Sequence, residues 1–361
     1  DIETENETIY DKVNNSFAKR IESVLQVCTR LSKSVAFNLK NNNFPIILSG
    51  DHSSALGTIS GIKAAYPDKR MGVVWIDAHA DINSPYTSPT GNIHGMPLAA
   101  ALSDDNLDFE INEIDEETET YWNQLKDIGA KGKKLRHEDI MYFGVRDTNN
   151  AEDMMMEKHH IKNYRVSEMR HRGFDSCLKE ATDKLKSCDV IYISFDVDSM
   201  DCDLISKGTG TPVSKGFDKD EIVKIIEAIV GTDKVVCFEV VEVNPTLDNK
   251  GNLMAETAFD VLKATTLRGN ILDSYYSSNI SVIKNINMNN NDISNINTLT
   301  ARELNIDIIK RNTSANISVM NTIDMNNNYI INANIAALNH SQINVEHGLI
   351  NSRNLTLGGF N

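Results

Sequence analysis

Two patterns of apolar residues alternate along the first 270 residues of this chain. One is a short continuous apolar run, and the other is a longer segment with apolar residues at helical spacing. Continuous apolar runs rich in β-branched residues predict buried strands at residues 44–48, 71–76, 140–145, 190–195 and 235–241. Apolar residues at helical spacing predict helices at residues 10–39, 55–66, 151–159, 174–187, 219–229 and 253–265. Strands without inside–outside alternation, separated by helices, indicate a parallel sheet covered on both faces. The predicted fold is therefore α/β, with three layers in the order α/β/α.

The pattern changes near residue 270, where asparagine and isoleucine become frequent. Residues 286–293 (INMNNNDI) are echoed by residues 323–330 (IDMNNNYI). Isoleucines at short intervals with asparagine between them suit β-rungs with asparagine at the corners, and a disordered asparagine-rich tail is the other interpretation. We therefore predict a first domain at residues 1–270 and an Asn/Ile-rich β-repeat or disordered module at residues 271–361.

Composition limits the expected binding partners and indicates the cellular compartment. The formal net charge is −15, so nucleic acid is not an expected partner. An acidic insertion at residues 103–120 is expected to be a solvated loop or helix face. There is no apolar run of membrane-spanning length, and the first residues do not resemble a signal peptide. The five cysteines lack CxxC spacing, which suits a reducing compartment and predicts a cytoplasmic protein.

Candidate metal ligands follow three of the predicted strands. They lie in residues 49–53 (SGDHS), 77–81 (DAHAD) and 194–198 (SFDVD). Ligands of such a sheet bind beyond the carboxyl ends of its strands, so the three stretches are expected to converge. Together they supply two imidazoles and four carboxylates, from His52, His79, Asp77, Asp81, Asp196 and Asp198.

This set of side chains indicates a pair of divalent cations. Four carboxylates at one sheet edge repel one another by several kcal/mol unless a cation lies among them. An oxygen-rich set suits manganese, cobalt or magnesium better than zinc. Carboxylates that bridge two ions allow a hydroxide to be held between them at neutral pH, so hydrolysis is the first functional hypothesis.

Six motifs resemble those of the ureohydrolases in order and spacing, and the arginases most closely within that family. They are GDHS at 50–53, DAHAD at 77–81, SPTGNIHG at 88–95, SFDVD at 194–198, GTGTP at 208–212 and EVNP at 242–245. The resemblance covers roughly residues 10 to 268. It implies a three-layer α/β/α fold and a binuclear manganese centre, with cobalt as a possible substitute. It also implies that a metal-bridging hydroxide hydrolyses L-arginine to L-ornithine and urea.

The same resemblance implies a role for individual residues. One ion would be held by His52, Asp77, Asp81 and Asp196, and the other by His79, Asp77, Asp196 and Asp198. Asp81 would pass a proton to the leaving amine, His94 would exchange protons with solvent, and Glu242 would pair with the guanidinium group. Contacts with the remainder of the substrate would come from Asn83, Ser88, Thr90, Asn92, Asn149 and Thr211.

Two departures from the family pattern keep alternatives open. The first strand and glycine-rich loop usual in arginases are missing ahead of residues 10–39, so we expect either a sheet that lacks an inner strand or a sequence that is only part of a longer chain. Asn149 falls near where an acidic residue often contacts the α-amino group of the substrate. The alternatives are a ureohydrolase for agmatine or a guanidino acid, and an inactive arginase-like domain in a structural or fibre-type protein.

The resemblances also bear on assembly. The repeats after residue 270 weakly resemble the β-rich shafts of phage and viral fibre proteins, which would allow association with a virion or fibre. Arginases are commonly oligomeric, so a homotrimer or hexamer is expected.

Overall fold

A computed structural model of the chain describes residues 1–267, which form an α/β fold. The strands are β1 (Ile46–Leu48), β2 (Met71–Ile76), β3 (Ile140–Phe143), β4 (Lys162–Tyr164), β5 (Val190–Asp196) and β6 (Val235–Val241). The helices are α1 (Ile21–Lys40), α2 (Ser54–Ala65), α3 (Pro97–Leu102), α4 (Glu116–Lys126), α5 (Asn150–Lys158), α6 (Val166–Arg172), α7 (Phe174–Leu185), α8 (Lys219–Val230) and α9 (Leu253–Leu262).

The six strands form one parallel sheet in the order β1-β6-β5-β2-β3-β4. Strands β2, β5 and β6 are buried along their whole length, as their uninterrupted apolar sequences predict. Their order in the sheet differs from their order in the chain, so the connections cross over the faces and carry helices.

Helices cover both faces of the sheet. Val73 and Trp75 of β2 point into a core shared with α1 to α5, and Val74 and Ile76 point into a core shared with α6 to α9. Successive residues of a strand point to opposite faces, so each strand contributes to both cores. The predicted three-layer α/β/α fold is confirmed.

The first helix begins later than its hydrophobic spacing predicts. It starts at Ile21 rather than at residue 10, and residues Asn6–Tyr10 form a 3-10 turn. Arg20 has a φ of 59° and donates hydrogen bonds to backbone oxygens of Thr8, Ile9 and Asp11. The predicted first turns are therefore wrong, because the guanidinium group of Arg20 stabilises an irregular fold of the preceding chain.

Four secondary-structure elements were not predicted from the hydrophobic pattern. Strand β4 has only three residues and carries polar side chains, and α3 and α6 are six and seven residues long. Helix α4 lies at the end of the acidic insertion and is capped at its N-terminus by Asp115, whose side chain accepts the N–H of Thr118. The helical spacing of α4 is hard to recognise in the sequence, because only Thr118, Trp122 and Leu125 of this helix are buried.

Strand β1 lies at one edge of the sheet and pairs with β6 alone among the described strands. Its side chains Ile46 and Leu48 are 43% and 72% exposed. An apolar edge strand is unusual, since edge strands generally carry charge or proline, and here Pro45 directly precedes the strand.

Two further predictions concern the C-terminal module and membrane-spanning helices. The module predicted at residues 271–361, with its fibre-like repeats, lies outside the described residues. Within residues 1–267 the structure contains no helix with the length and apolarity needed to cross a membrane.

Candidate metal centre and substrate cleft

The candidate site lies at the carboxyl edge of the sheet, where the loops after β1, β2, β5 and β6 meet. Ile76 and Phe195 are register partners in the adjacent strands β2 and β5, so Asp77 and Asp196 leave the sheet side by side. Strand β6 pairs with both β5 and β1, which brings the loops carrying Glu242 and His52 to the same edge. The sheet topology thus collects residues that are far apart in the sequence.

His52 lies at the centre of the first group of candidate ligands. Its Nδ1 atom is 3.0 Å from Asp77 Oδ2, 3.0 Å from Asp81 Oδ2 and 3.1 Å from Asp196 Oδ2. All four residues are buried. One imidazole nitrogen and three carboxylate oxygens therefore converge on a single point that is shielded from water.

His79 forms the second group with the other oxygen of Asp77. His79 Nδ1 is 3.0 Å from Asp198 Oδ2 and 3.5 Å from Asp77 Oδ1. Asp77 therefore turns one oxygen towards each histidine, which is the geometry of a carboxylate that bridges two cations. Thr211 Oγ1 donates to Asp198 Oδ2 at 3.0 Å and fixes that carboxylate.

The donor atoms fit a divalent cation. Octahedral ligands at about 2.1 Å from an ion lie about 3.0 Å from their neighbours, and the first group shows this spacing. His52 Nδ1 and Asp77 Oδ2 are buried and lack hydrogen-bond partners within the described residues. Buried polar atoms without partners are costly, and an ion at this point would satisfy both.

Burial and neighbouring charges shift the pKa values of several residues in the cluster. Burial and the charge of Asp77 raise the pKa of Asp81 to about 6. Burial and neighbouring carboxylates also raise the pKa values of Asp196 and Asp198. Burial alone would lower the pKa of His79, but Asp198 and Asp77 outweigh it and raise that pKa to about 12. The cluster therefore binds protons when no metal cation is bound.

Two residues that the sequence analysis did not assign orient His52. Ser194 Oγ lies 2.8 Å from His52 Nε2, and the indole ring of Trp75 stacks on the imidazole at a centroid distance of 4.1 Å. When Nε2–H donates to Ser194, the lone pair of Nδ1 points at the three carboxylates. Ser194 lies two residues before Asp196 on the same face of β5, and this spacing in the sequence could have predicted that Ser194 faces the site.

The backbone is strained at two site residues. Asp81 has a φ of 50° and Glu242 a φ of 63°, which non-glycine residues adopt rarely and at a cost of about 1–3 kcal/mol. Hydrogen bonds hold both residues in place. The Leu98 N–H donates to Asp81 O at 3.1 Å, and the Glu242 N–H donates to Gly50 O at 2.7 Å. The surrounding loops thus impose these conformations and aim both carboxylates at the cleft.

A cleft of about 310 Å³ lies above the metal-ligand cluster. It is lined by most of the predicted site residues, namely His52, His79, Asp81, Asn83, Ser88, Thr90, Asn92, His94, Asn149, Asp196, Thr211 and Glu242. Asp77 and Asp198 complete the predicted set and lie beneath it, at 0% and 1% exposure. The structure therefore brings all the predicted site residues together.

His94 and Glu242 face each other in the cleft. His94 Nδ1 is 3.5 Å from Glu242 Oε1, and the His52 N–H donates to the same oxygen at 2.9 Å. The contact with Glu242 outweighs burial and raises the pKa of His94 to about 9. Burial raises the pKa of Glu242, but His94 and the His52 N–H reverse this and lower it. Glu242 is consequently ionised at neutral pH.

Amide side chains occupy the outer end of the cleft. Asn83 Oδ1 accepts hydrogen bonds from Asn149 Nδ2 at 3.2 Å and from Thr87 Oγ1 at 3.1 Å. Asn149 Oδ1 accepts the N–H groups of Ala151 and Glu152 and begins helix α5. Ser88 Oγ accepts the Gly91 N–H at 2.9 Å, so this hydroxyl also shapes the loop.

Three further polar residues near the cleft were not predicted to act there. Asp147 Oδ2 is 3.7 Å from His79 Nε2, and Glu152 lines the cleft with its pKa raised to about 7 by burial. Arg146 donates to the carbonyl oxygens of Asp198 and Val213, which ties the β5 loop to its neighbour. Arg146 and Asp147 directly follow the predicted strand at 140–145, so their position at a strand end was the signal.

Comparisons with known proteins agree with this arrangement. The sequence profile of the Arginase family matches residues 2–267. The arginase of Bacillus subtilis (strain 168) is 32% identical over 251 residues, covering 70% of this chain and 78% of that protein. The arginase of Entamoeba histolytica is 33% identical over 234 residues, covering 64% of this chain and 73% of that protein.

Solved structures show the same likeness. Arginase from Bacillus cereus superposes with a TM-score of 0.62 at 31% identity, covering 70% of this chain and 80% of that one. Entamoeba histolytica arginase in complex with L-ornithine gives a TM-score of 0.61 at 30% identity, with the same coverage of 70% and 80%. Fold and similarity together define the class of protein as a hydrolase of the ureohydrolase type. Within that class, the chain belongs to the arginase family.

The metal-free protein is expected to lose stability as the pH rises from about 5 to 8. Asp81 and His79 have pKa values raised above their usual range, so the folded state binds more protons than the unfolded state in this interval. A shift from 3.8 to about 6, as for Asp81, corresponds to about 3 kcal/mol. Thermal melts of chelator-treated protein at several pH values measure the slope of the melting temperature against pH. Added divalent metal should reverse its sign, and an unchanged melting temperature across the interval would contradict the assignment.

Ser194→Ala is expected to weaken metal binding about 10- to 100-fold, because His52 loses the partner that fixes its tautomer and ring orientation. Titration of metal-free protein with manganese measures the affinity. Ser60→Ala is the matched control, since Ser60 is also fully buried but its hydroxyl lacks a hydrogen-bond partner among the described residues. Equal affinities of the two variants would rule out the orienting role of Ser194.

Proposed function

We propose that this protein hydrolyses L-arginine to L-ornithine and urea with two manganese ions, for which cobalt can substitute. The observation that carries the proposal is the convergence of three carboxylate oxygens on His52 Nδ1 at 3.0–3.1 Å, in a cleft that also contains Glu242. Membership of the arginase family supports the same reaction.

The side chains divide between two metal positions. His52, Asp77, Asp81 and Asp196 would hold one ion, and His79 and Asp198 would hold the other together with Asp77 and Asp196. When bound, the two ions would supply a water nucleophile at neutral pH. Oxygen donors predominate in both groups, which favours manganese over zinc.

Glu242 binds the guanidinium group of the substrate. Its carboxylate is ionised at neutral pH and lines the cleft, and a carboxylate forms short, charge-assisted hydrogen bonds with a guanidinium group. The His52 N–H donates to Glu242 Oε1 and fixes its position relative to the metal ligands. The reacting carbon is thereby held over the cluster.

Two groups move protons during the reaction. The oxygen of water bonds to the guanidinium carbon, the bond from that carbon to the side-chain nitrogen breaks, and this nitrogen receives a proton. Asp81 lines the cleft and passes that proton to the leaving nitrogen. His94 loses its contact with Glu242 when the guanidinium group binds there, which removes the largest cause of its raised pKa, so this pKa falls on binding. This suits exchange of protons with solvent.

The outer end of the cleft recognises the α-carboxylate. Asn83 Oδ1 is already occupied, which leaves the N–H groups of Asn83 to donate to the substrate. Lys19 Nζ donates to Asn92 Oδ1 at 3.1 Å, so Asn92 likewise presents its N–H groups. Thr90 adds a hydroxyl group. These donors match a carboxylate and favour arginine over agmatine, which has none.

A second candidate substrate is a guanidino acid without an α-amino group. Asn149 favours it, because this side chain is neutral and its oxygen is already engaged by two backbone N–H groups. An α-ammonium group would therefore find only a weak partner at this position.

Manganese-loaded protein is expected to release urea from L-arginine at least tenfold faster than from agmatine at equal, subsaturating concentrations. The physical reason is the set of donors for the α-carboxylate at Asn83, Thr90 and Asn92. A colorimetric urea assay measures both rates. Asp196→Asn serves as the inactive control, since it removes the charge of a proposed bridging ligand. Absence of urea release from arginine by protein with both metal positions filled would contradict the proposal.

Glu242→Gln is expected to lower kcat/KM for arginine about 10- to 100-fold, because a charge-assisted hydrogen bond of about 1.5–3 kcal/mol becomes a neutral one. Steady-state kinetics combined with metal analysis distinguish this loss from loss of the ions, since manganese content should not change. Glu227→Gln, on the exposed face of α8, is the control with the same chemical change. A Glu242→Gln enzyme with unchanged kcat/KM would assign guanidinium binding to another residue.

A further inference from the structure

A side cavity of about 260 Å³ opens beside the outer end of the substrate cleft. Pro89 and Asn149 line both the side cavity and the cleft, so the two spaces are adjacent. Apolar groups form much of its wall, from Pro89, Phe109, Ile111 and Ala151. The reaction proposed above does not use this cavity, because arginine ends at the donors of Asn83, Thr90 and Asn92.

The loop that carries Phe109 and Ile111 is anchored to both sides of the cleft. Asn106 Nδ2 donates to Ala151 O at 3.0 Å and ties the loop to helix α5. Asn112 Nδ2 donates to Ser88 O at 2.7 Å and ties it to the substrate loop. Both asparagines are buried. The wall of the side cavity is therefore held in place by the same elements that form the cleft.

The residue at the junction of the two spaces is neutral. Asn149 donates from Nδ2 to Asn83 and accepts two backbone N–H groups at Oδ1. At Asn149 itself, a substrate therefore loses no charged contact if its α-nitrogen is neutral. An acylated α-nitrogen is such a group, since an amide is neutral and its N–H and C=O need only ordinary hydrogen bonds.

We propose that the side cavity is a substrate subsite that accepts an apolar acyl group on the α-nitrogen of a guanidino amino acid. The proposal rests on the function proposed above, because the guanidinium group must still bind at Glu242. Burial of an apolar group against Phe109 and Ile111 supplies the favourable free energy. Glu110 also lines the cavity, so acyl groups that end in a carboxylate are disfavoured.

The volume of the side cavity suits a benzoyl group. The cavity volume of 260 Å³ is several times the volume of about 30 Å³ that one water molecule occupies in the liquid, so the cavity has room for more than a small acyl group. A benzoyl group has about eight heavy atoms, whereas an acetyl group has about three and would leave most of the cavity unfilled. The subsite should therefore prefer benzoyl to acetyl.

The test compares urea release by the manganese-loaded full chain from L-arginine, Nα-acetyl-L-arginine and Nα-benzoyl-L-arginine. The expected result is a kcat/KM for benzoylarginine at least equal to that for acetylarginine and within tenfold of that for arginine. Arginine is hydrolysed under the same conditions and reports on the function proposed above.

Paired variants of the loop separate the subsite from general effects. Ile111→Asp places a charge in the wall and should lower the ratio of kcat/KM for benzoylarginine to that for arginine about tenfold. Leu107→Asp is the matched control on the same loop and does not line the cavity. Ile111 and Leu107 are 64% and 56% exposed, so both variants should fold. Leu107→Asp should leave the ratio unchanged.

Two results would overturn the subsite. One is hydrolysis of arginine with a kcat/KM for benzoylarginine more than 100-fold lower. The other is an equal effect of Ile111→Asp and Leu107→Asp on the ratio. Absence of urea release from arginine itself would instead overturn the proposed function, and the subsite proposal, which depends on it, would also be rejected.

Discussion

Repulsion among buried carboxylates is the constraint on which the site depends. Asp77, Asp81, Asp196 and Asp198 lie together under a cleft, each at most 7% exposed, where the low dielectric strengthens their mutual repulsion. Burial, together with this repulsion, raises the pKa values of Asp81, Asp196 and Asp198, so these carboxyls retain protons when no cation lies among them. Cations that replace these protons would leave every oxygen ionised, which makes metal binding and folding at this edge one linked equilibrium.

The rest of the fold resists that repulsion. Strands β2 and β5 are buried and pair over their length, which fixes the starting points of Asp77 and Asp196. The Arg146 guanidinium donates to several carbonyl oxygens of the neighbouring loops, and the loops impose left-handed backbone on Asp81 and Glu242. A cluster that repels itself needs such a rigid frame, because flexible loops would separate the carboxylates in the absence of cations.

Physical reasons separate what the sequence predicted from what it missed. Long apolar strands such as β2 and β6 were predicted with their observed bounds, because burial on both faces leaves an unmistakable pattern. The candidate ligands were predicted because they follow those strands. The first turns of the predicted helix at residue 10 were wrong, since Arg20 stabilises another path by long-range hydrogen bonds. Ser194, Trp75 and Glu152 were missed because each acts through a neighbour, and only the folded contacts reveal that.

The inner and outer halves of the cleft follow different electrostatic rules. Near His52 and Glu242, charged groups face one another, so the guanidinium end of the proposed substrate would be selected strictly. Near Asn83 and Asn149, neutral amides already bond to each other and to the backbone, so at these two residues the far end of the proposed substrate would be selected by shape and ordinary hydrogen bonds. Charged recognition penalises an unmatched group far more than neutral recognition does. It follows that variation in substrate preference within this scaffold is most easily accommodated at the outer end, where a change of side chain leaves the charges around the metal ligands undisturbed.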